Sequence, residues 1–404
     1  MTPRRRTPTL LAIALVVVGL LLAGCSSGGT PILANPTAPR PSVAPPTAPP
    51  VAVSDPIPIA FPRDDGPHDR LTEWWYYTGH LRAATGERLG FEYVIFRGER
   101  GAFPTSWASH LAITDETGDA FHYGQRLEVG AQVDRSPRGV TGEPTGFDLS
   151  VAGIDPTDPA TFGRPAWTMA GQNGTDRLEA TMAPDEAAAA GAPEGLGLEL
   201  DLRAVKPPAL HDTDGWIDFG PAGGSYYYSR TAMTAVGTVV LDGRALDVTG
   251  EAWFDHQWGD FISVGGGGWD WFAINLDDGT DLTLSLVRDA DGTYPLIYGT
   301  VVAPDGSTSH LGRDAFTVEV TDRWQSPATG ADYPAGWTIA VPGQDLTITL
   351  TPTVADQELD TRATTGVVYW EGSQRVMATR AGRALAGEGY VELTGYAPSG
   401  IAGP

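Results

Sequence analysis

Leu282-Thr-Leu-Ser-Leu-Val287 alternates apolar and polar residues as far as Leu286, and Leu346-Thr-Ile-Thr-Leu350 alternates throughout. A period of two puts alternate side chains on opposite faces of a strand. Leu89-Gly-Phe-Glu-Tyr-Val-Ile-Phe96 reads as a further strand. Between the apolar runs Val236 to Leu241 and Ala245 to Val248 lies Asp242-Gly243, the dipeptide of a tight hairpin turn. No segment carries the pattern of a long amphipathic helix. Glu186 with Ala187 to Ala190 supports one helical turn, which Gly191 and Pro193 stop. With 51 Gly and 33 Pro to supply turns, many short strands imply an all-β sandwich or barrel.

The N-terminus reads as an address. Arg4, Arg5 and Arg6 form a basic start, Leu10 to Leu22 an apolar run too short to span a bilayer, and Leu22-Ala-Gly-Cys25 a lipobox. We therefore expect a lipoprotein signal peptide over 1–24 and lipidation of Cys25, with export and a membrane anchor. Cys25 is the only cysteine, so its acylation excludes disulfides and thiolate chemistry. The formal charge is −24, and removing 1–24 takes away three Arg and no acid, which gives −27. Such a chain is repelled by nucleic acid. Residues 25–62 are rich in Pro, Ala and Thr and read as an extended tether. About 340 residues remain, more than one core usually serves.

An internal echo supports two domains. Trp74-Trp-Tyr-Tyr-Thr-Gly-His-Leu81 leads to a turn at Gly86 and the strand from Leu89. Trp269-Asp-Trp-Phe-Ala-Ile-Asn-Leu276 leads to a turn at Gly279 and the strand from Leu282. The expected domains are 63–228 and 229–400, with the seam near Gly223 to Arg230.

The chemistry concentrates in Gly250-Glu-Ala-Trp-Phe-Asp-His-Gln-Trp-Gly-Asp-Phe261 and Gly268-Trp-Asp-Trp-Phe272, which hold four of the twelve Trp. There is no Gly-x-Ser-x-Gly elbow, and Ser106, Ser109 and His110 define no triad. There is no close His pair at zinc-ligand spacing. Asp289-Ala-Asp-Gly292 reads as a turn, and Gly265 to Gly268 as a flexible connector. His256 suits proton transfer near neutral pH. Asp270, between Trp269 and Trp271, would have a raised pKa if buried. Trp253, Phe254 and Trp258 offer π faces to a cationic intermediate. Acid, base and aromatic walls suit hydration, dehydration or isomerisation of an alkene. They suit equally a barrel core in which Asp255 and His256 form a satisfied buried pair. Glu73, Trp74, Trp75, Tyr76, Tyr77 and His80 head the first domain, where Glu73 either pins a loop or faces a pocket. His110 and His122 read as structural.

Three blocks carry a resemblance: Glu73-Trp-Trp-Tyr-Tyr-Thr-Gly-His-Leu81; Val248 to Gly259 with Gly268 to Phe272; and Tyr369-Trp-Glu-Gly372 with Gly389-Tyr-Val-Glu-Leu-Thr-Gly-Tyr396. In order and content they resemble the AttH and carotenoid 1,2-hydratase (hydroxyneurosporene synthase) superfamily, whose members are often labelled predicted secreted hydrolases. The resemblance implies two packed lipocalin-like β-barrel domains with a site for a hydrophobic ligand. It implies cofactor-free addition of water to an isoprenoid double bond, with no metal. It carries catalytic roles to His256, Trp258 and Asp270. A Tyr precedes that Asp in the hydratases, whereas Gly268 and Trp269 stand here. AttH-type members are also linked to ABC export systems.

The expected enzyme is hydratase-like or hydrolase-like and acts on an isoprenoid or lipid. Asp270 donates the proton, His256 orients water, Trp258 and Trp269 stabilise positive charge, and Asp255 positions His256. Trp253, Trp269, Trp271, Glu73, Trp74 and Tyr76 line the substrate site. The alternative is a lipid-binding lipoprotein accessory to an ABC transporter.

Overall fold

The computed structural model describes residues 55–261 and 266–397. The signal segment, Cys25, the tether as far as residue 54, and Gly265 lie outside the described residues. The tether was expected to run to residue 62, but the chain joins the fold from Asp55. Asp55 pairs with Arg70 at 2.7 Å, Tyr226 Oη accepts from the Ile57 amide at 2.7 Å, and Ile59 and Phe61 pack on the core. Among the described residues no helix is long and apolar enough to cross a membrane.

Two antiparallel sheets make up the body. The first contains β1 (Thr72–Ala83), β2 (Arg88–Gly98), β3 (Ser106–Asp115), β4 (Ala120–Val129), β5 (Phe147–Val151), β6 (Trp167–Gln172), β7 (Thr175–Thr181), β8 (Leu196–Ala204), β9 (Ala209–Leu210), β10 (Trp216–Asp218), β11 (Gly224–Leu241) and β12 (Arg244–Gly259). The second contains β13 (Gly266–Leu276), β14 (Asp281–Asp289), β15 (Leu296–Val302), β16 (Thr308–Leu311), β17 (Thr317–Gln325), β18 (Asp332–Val341), β19 (Leu346–Pro352), β20 (Glu358–Asp360), β21 (Val368–Arg380) and β22 (Arg383–Thr394). Each sheet curls around its own apolar core, as in a pair of lipocalin-like barrels. The plans match. Each opens with a four-strand meander, and its last strand returns to pair with its first, β12 with β1 and β22 with β13.

The seam near 223–230 therefore needs correction as far as the sheets go. β11 and β12 belong to the first sheet, and the chain changes sheet between Gly259 and Gly266. The expected hairpin at Asp242-Gly243 joins β11 to β12, with both residues at positive φ (49° and 70°), as a turn matched to strand twist requires. Gly266 to Gly268 were read as connector but are part of β13. The helical turn forms over Pro184–Ala189, where the Glu186 carboxylate accepts the Ala183 amide.

Register decides which side chains meet. On β1, Glu73, Trp75 and Tyr77 face the first interior, while Trp74 and Tyr76 face the second sheet. β12 pairs Glu73 with Trp258, Trp75 with His256 and Tyr76 with Asp255. So Phe254, His256 and Trp258 point into the first interior, and Trp253 and Asp255 point outward. On β13, Phe272 and Ile274 enter the second core, whereas Trp269 and Trp271 meet the first sheet. The β1–β12 contact is too close for a side chain at Gly250, where a Cβ would stand 1.9 Å from the His80 carbonyl. Gly250→Ala is expected to cost about 1–3 kcal/mol, by overpacking, read from the midpoint of urea unfolding.

Candidate functional site

The residues singled out in the sequence fall into three places. The first is one end of the first barrel, where His256 and Trp258 project from β12 and Glu73 from β1. The segment before β1 adds Asp64 and His68. His256 Nε2 lies 2.9 Å and His68 Nδ1 2.7 Å from the same oxygen, Glu73 Oε1. The second Glu73 oxygen accepts the His68 amide at 3.0 Å. Behind the rings, His256 Nδ1 faces the Asp64 carbonyl at 3.1 Å, and His68 Nε2 faces Asp64 Oδ1 at 3.3 Å. His68 stacks flat on Trp258 at 4.0 Å, and His256 on Trp75 at 4.6 Å. Burial works to raise the Glu73 pKa, but His68 and then His256 outweigh it and hold it at about 2. Burial also opposes the His68 imidazolium, yet Glu73 and Asp64 raise that pKa. For His256 burial wins, and the pKa falls.

The second place is the surface between the sheets. Asp255 accepts from Trp253 Nε1 at 2.6 Å and from the Tyr227 and Ser229 hydroxyls. Trp271 Nε1 donates to Tyr227 Oη at 3.0 Å, and Trp269 Nε1 to Glu392 at 3.0 Å. Tyr76 donates to Glu371 at 2.7 Å, and Tyr369 to Glu92 at 2.8 Å. His110 Nδ1 lies 2.8 Å from Tyr369 Oη, and burial drives its pKa down to about 3. Four carboxyls thus gather where their partners are hydroxyls and indoles. No ion pair reaches them among the described residues. Burial pushes Asp255 up to about 7 against its three donors, and Glu392 up to about 7. Burial takes Glu92 up to about 8. Glu371 lies well above its ordinary value through burial and the charges of Glu92 and Glu392. The second oxygens of Glu92 and Glu371 are buried with no hydrogen-bond partner, as is the Tyr390 hydroxyl. A cavity of about 10 Å³, room for roughly one water, lies beside Trp253 and Tyr390.

Asp270 stands in the third place. It faces the second interior, bonded to the Arg288 guanidinium and at 3.0 Å to Tyr396 Oη. Burial raises its pKa, and Arg288, itself held protonated more firmly in the pair, opposes that rise.

Two expected roles are corrected here. Asp255 does not position His256, nor do they form a buried pair. They are adjacent on β12 and point to opposite faces; Asp64 and Glu73 hold His256 instead. Glu73 lies inside the first barrel, away from Trp74, Tyr76, Trp253, Trp269 and Trp271, which do collect between the sheets. Asp270 shares no hydrogen bond or ring contact with His256 or Trp258. Sequence reasoning passed over His68, Glu92, Glu371 and Glu392. The signal for the glutamates was an acid inside an otherwise apolar strand, as in Gly-Phe-Glu92-Tyr-Val. His68 carried none.

Two curled sheets, packed face to face over buried carboxyls and tryptophans, define a double lipocalin-like β protein. The chain belongs to the AttH-like family, whose model matches residues 52–396. An AttH protein from Nitrosomonas europaea is 30% identical, with a TM-score of 0.67 over 87% of this chain and all of that one. Kievitone hydratase from Nectria haematococca has the same fold at 15% identity, with a TM-score of 0.60 over 83% of this chain and 93% of its own. CghA, solved with Sch210972, is 12% identical, with a TM-score of 0.51 over 81% of this chain and 89% of its own. No curated protein matches the sequence significantly.

Proposed function

We propose that the chain is a hydratase-type enzyme acting on an apolar isoprenoid or lipid, without a redox cofactor, at the surface between its sheets. The observation that carries this is the set of buried carboxyls kept protonated near neutral pH among tryptophans and tyrosines. Glu371 or Glu92 gives its unshared proton to an alkene carbon. The tertiary cation that results is stabilised by the faces of Trp253 and Trp271. Water adds to the cation and returns one proton to the carboxylate, so acid and charge are restored. The hydratase among the neighbours of similar fold supports this reading. The cavity beside Trp253 and Tyr390 holds about 10 Å³ and does not reach Glu92 or Glu371, so substrate access to those acids requires the sheets to part. Export and an anchor at Cys25 belong to the proposal through the lipobox.

The lipobox and the AttH relationship also support a second reading, a lipid-binding lipoprotein that serves an ABC transporter. One experiment separates the two. Full-length protein is incubated with a lipid extract of the source cells, and bound and free fractions are examined by mass spectrometry. Hydration adds the mass of water to one species. Glu371→Gln combined with Glu92→Gln is expected to slow this at least about 100-fold, the usual contribution of general acid–base groups. An unchanged lipid bound by wild type and variants alike sinks the enzyme reading. A loss confined to His256→Ala or Asp270→Asn moves the chemistry out of the interface.

A further inference from the structure

The His68–Glu73–His256 group has a geometry that the hydratase reading does not use. Nδ1 of His68, Nε2 of His256 and Oε1 of Glu73 converge, all within 4.8 Å of one another. The outer nitrogen of each ring is already spoken for. His68 Nε2 faces the Asp64 carboxylate and His256 Nδ1 the Asp64 carbonyl. Without an ion the inner nitrogens donate to Glu73; an acceptor behind each ring can take the N–H instead, which frees the inner nitrogen's lone pair for a cation. That is the usual outer shell of metal-ligating histidines, one ring backed by a carboxylate and one by a backbone carbonyl. Here a single residue, Asp64, supplies both. It is held in turn by Arg63 at 2.5 Å and by the Ala60 amide at 2.7 Å.

We propose that His68, Glu73 and His256 bind one divalent transition-metal ion of the zinc type. Two imidazole nitrogens and one carboxylate oxygen suit zinc, and three protein ligands leave a fourth position for water. The ligands now share hydrogen bonds of 2.7 and 2.9 Å, and tetrahedral coordination requires them to open by about half an ångström. His68 belongs to the segment before β1 and its side chain is 19% exposed, whereas Glu73 and His256 are fully buried. The ion therefore enters from the His68 side. Once bound, it fastens that segment to β1 and β12. The ligands are five and 183 residues apart, which is why no spacing motif announces them. The proposal is independent of the hydratase reading.

The test uses full-length protein treated with chelator and dialysed. Zinc is titrated calorimetrically, and cobalt(II) is added in parallel to read its visible spectrum. One zinc per chain is expected, with cobalt bands of four-coordinate nitrogen and oxygen ligation. His68→Ala should weaken zinc binding at least about 100-fold, and Cys25→Ser should leave it unchanged. Should His68→Ala prove unfolded by circular dichroism, Glu73→Gln takes its place. The wild-type cobalt spectrum stands in either case. No stoichiometric binding by folded wild type overturns the proposal and leaves a hydrogen-bonded histidine pair on Glu73. Equal affinity in wild type and a folded ligand variant overturns it as well.

Discussion

Asp65→Ala should destabilise the fold by about 3–5 kcal/mol, the range for stranding one member of a buried ion pair. Asp65 and Arg230 meet at 2.5 Å, with side chains 1% and 4% exposed. Burial disfavours the Arg230 charge, but Tyr228 and Asp65 overcome that and raise its pKa. Asp65 also accepts the Tyr228 hydroxyl and the Asn173 amide, each at 2.8 Å. Its carbonyl takes Trp75 Nε1 at 3.0 Å. Ala leaves the guanidinium with the faces of Phe61 and Tyr228 and without its counter-ion. Asp65→Asn keeps one acceptor oxygen, enough for Tyr228, and should cost less. Asp65→Ala combined with Arg230→Met should recover much of the loss, because no charge remains to be buried. Urea unfolding reads these values as midpoint shifts at constant slope. A cost below about 1 kcal/mol for Asp65→Ala would mean that the pair does not fasten the segment before β1 to β11.

Strands were legible in the sequence because period-two alternation and an Asp-Gly turn are local facts. Leu282 to Val287, Leu346 to Leu350 and the 242–243 hairpin all formed as read. Alternation also says that neighbours face opposite ways. It does not say which face is inside, and that is where reading the site failed. Asp255 and His256 were joined because they are adjacent. Only the register of β12 on β1, with Trp75 opposite His256 and Tyr76 opposite Asp255, assigns one to the barrel and the other to the interface. The sheet change at Gly259 was hidden for a related reason. β12 pairs with both β11 and β1, so its membership depends on partners far away in the chain. His68 sits in a loop, and its role depends on residues from two strands. The acids between the sheets needed two registers at once, β2 in one sheet and β21 and β22 in the other.

Those acids set the stability of the protein against pH. Between the sheets, Glu92 titrates at about 8 in the fold and Glu392 and Asp255 at about 7; Asp176 on β7, inside the first barrel against the Tyr77 hydroxyl, also titrates at about 7. Burial is the leading cause in each. Unfolded, these groups titrate near 4, about three to four units lower. Between these limits the folded chain holds protons that the unfolded chain releases. Stability therefore falls as pH rises, being fully present below about pH 4 and lost through pH 7 to 8. Glu73 and Glu116 work in the opposite sense. Both are held at about 2, by histidine partners that outweigh burial, so their contribution is present above about pH 4.5 and is lost toward pH 2. The maximum should lie near pH 4 to 4.5, where the unfolded carboxyls titrate. A three-unit shift corresponds to about 4 kcal/mol per group. With four groups involved, the loss from pH 5 to 8 should reach several kcal/mol, a fall in Tm of about 10 °C or more. Surface carboxylates are already ionised throughout that range and add little slope. Glu92→Gln should lower the slope by about one proton and lift stability at pH 8 relative to wild type, because the amide needs no proton to stay neutral. Thermal unfolding at fixed ionic strength across pH 5 to 8 decides it. A flat or rising profile would mean that these carboxyls are ionised in the fold, which would remove the proton donors on which acid-catalysed hydration between the sheets depends.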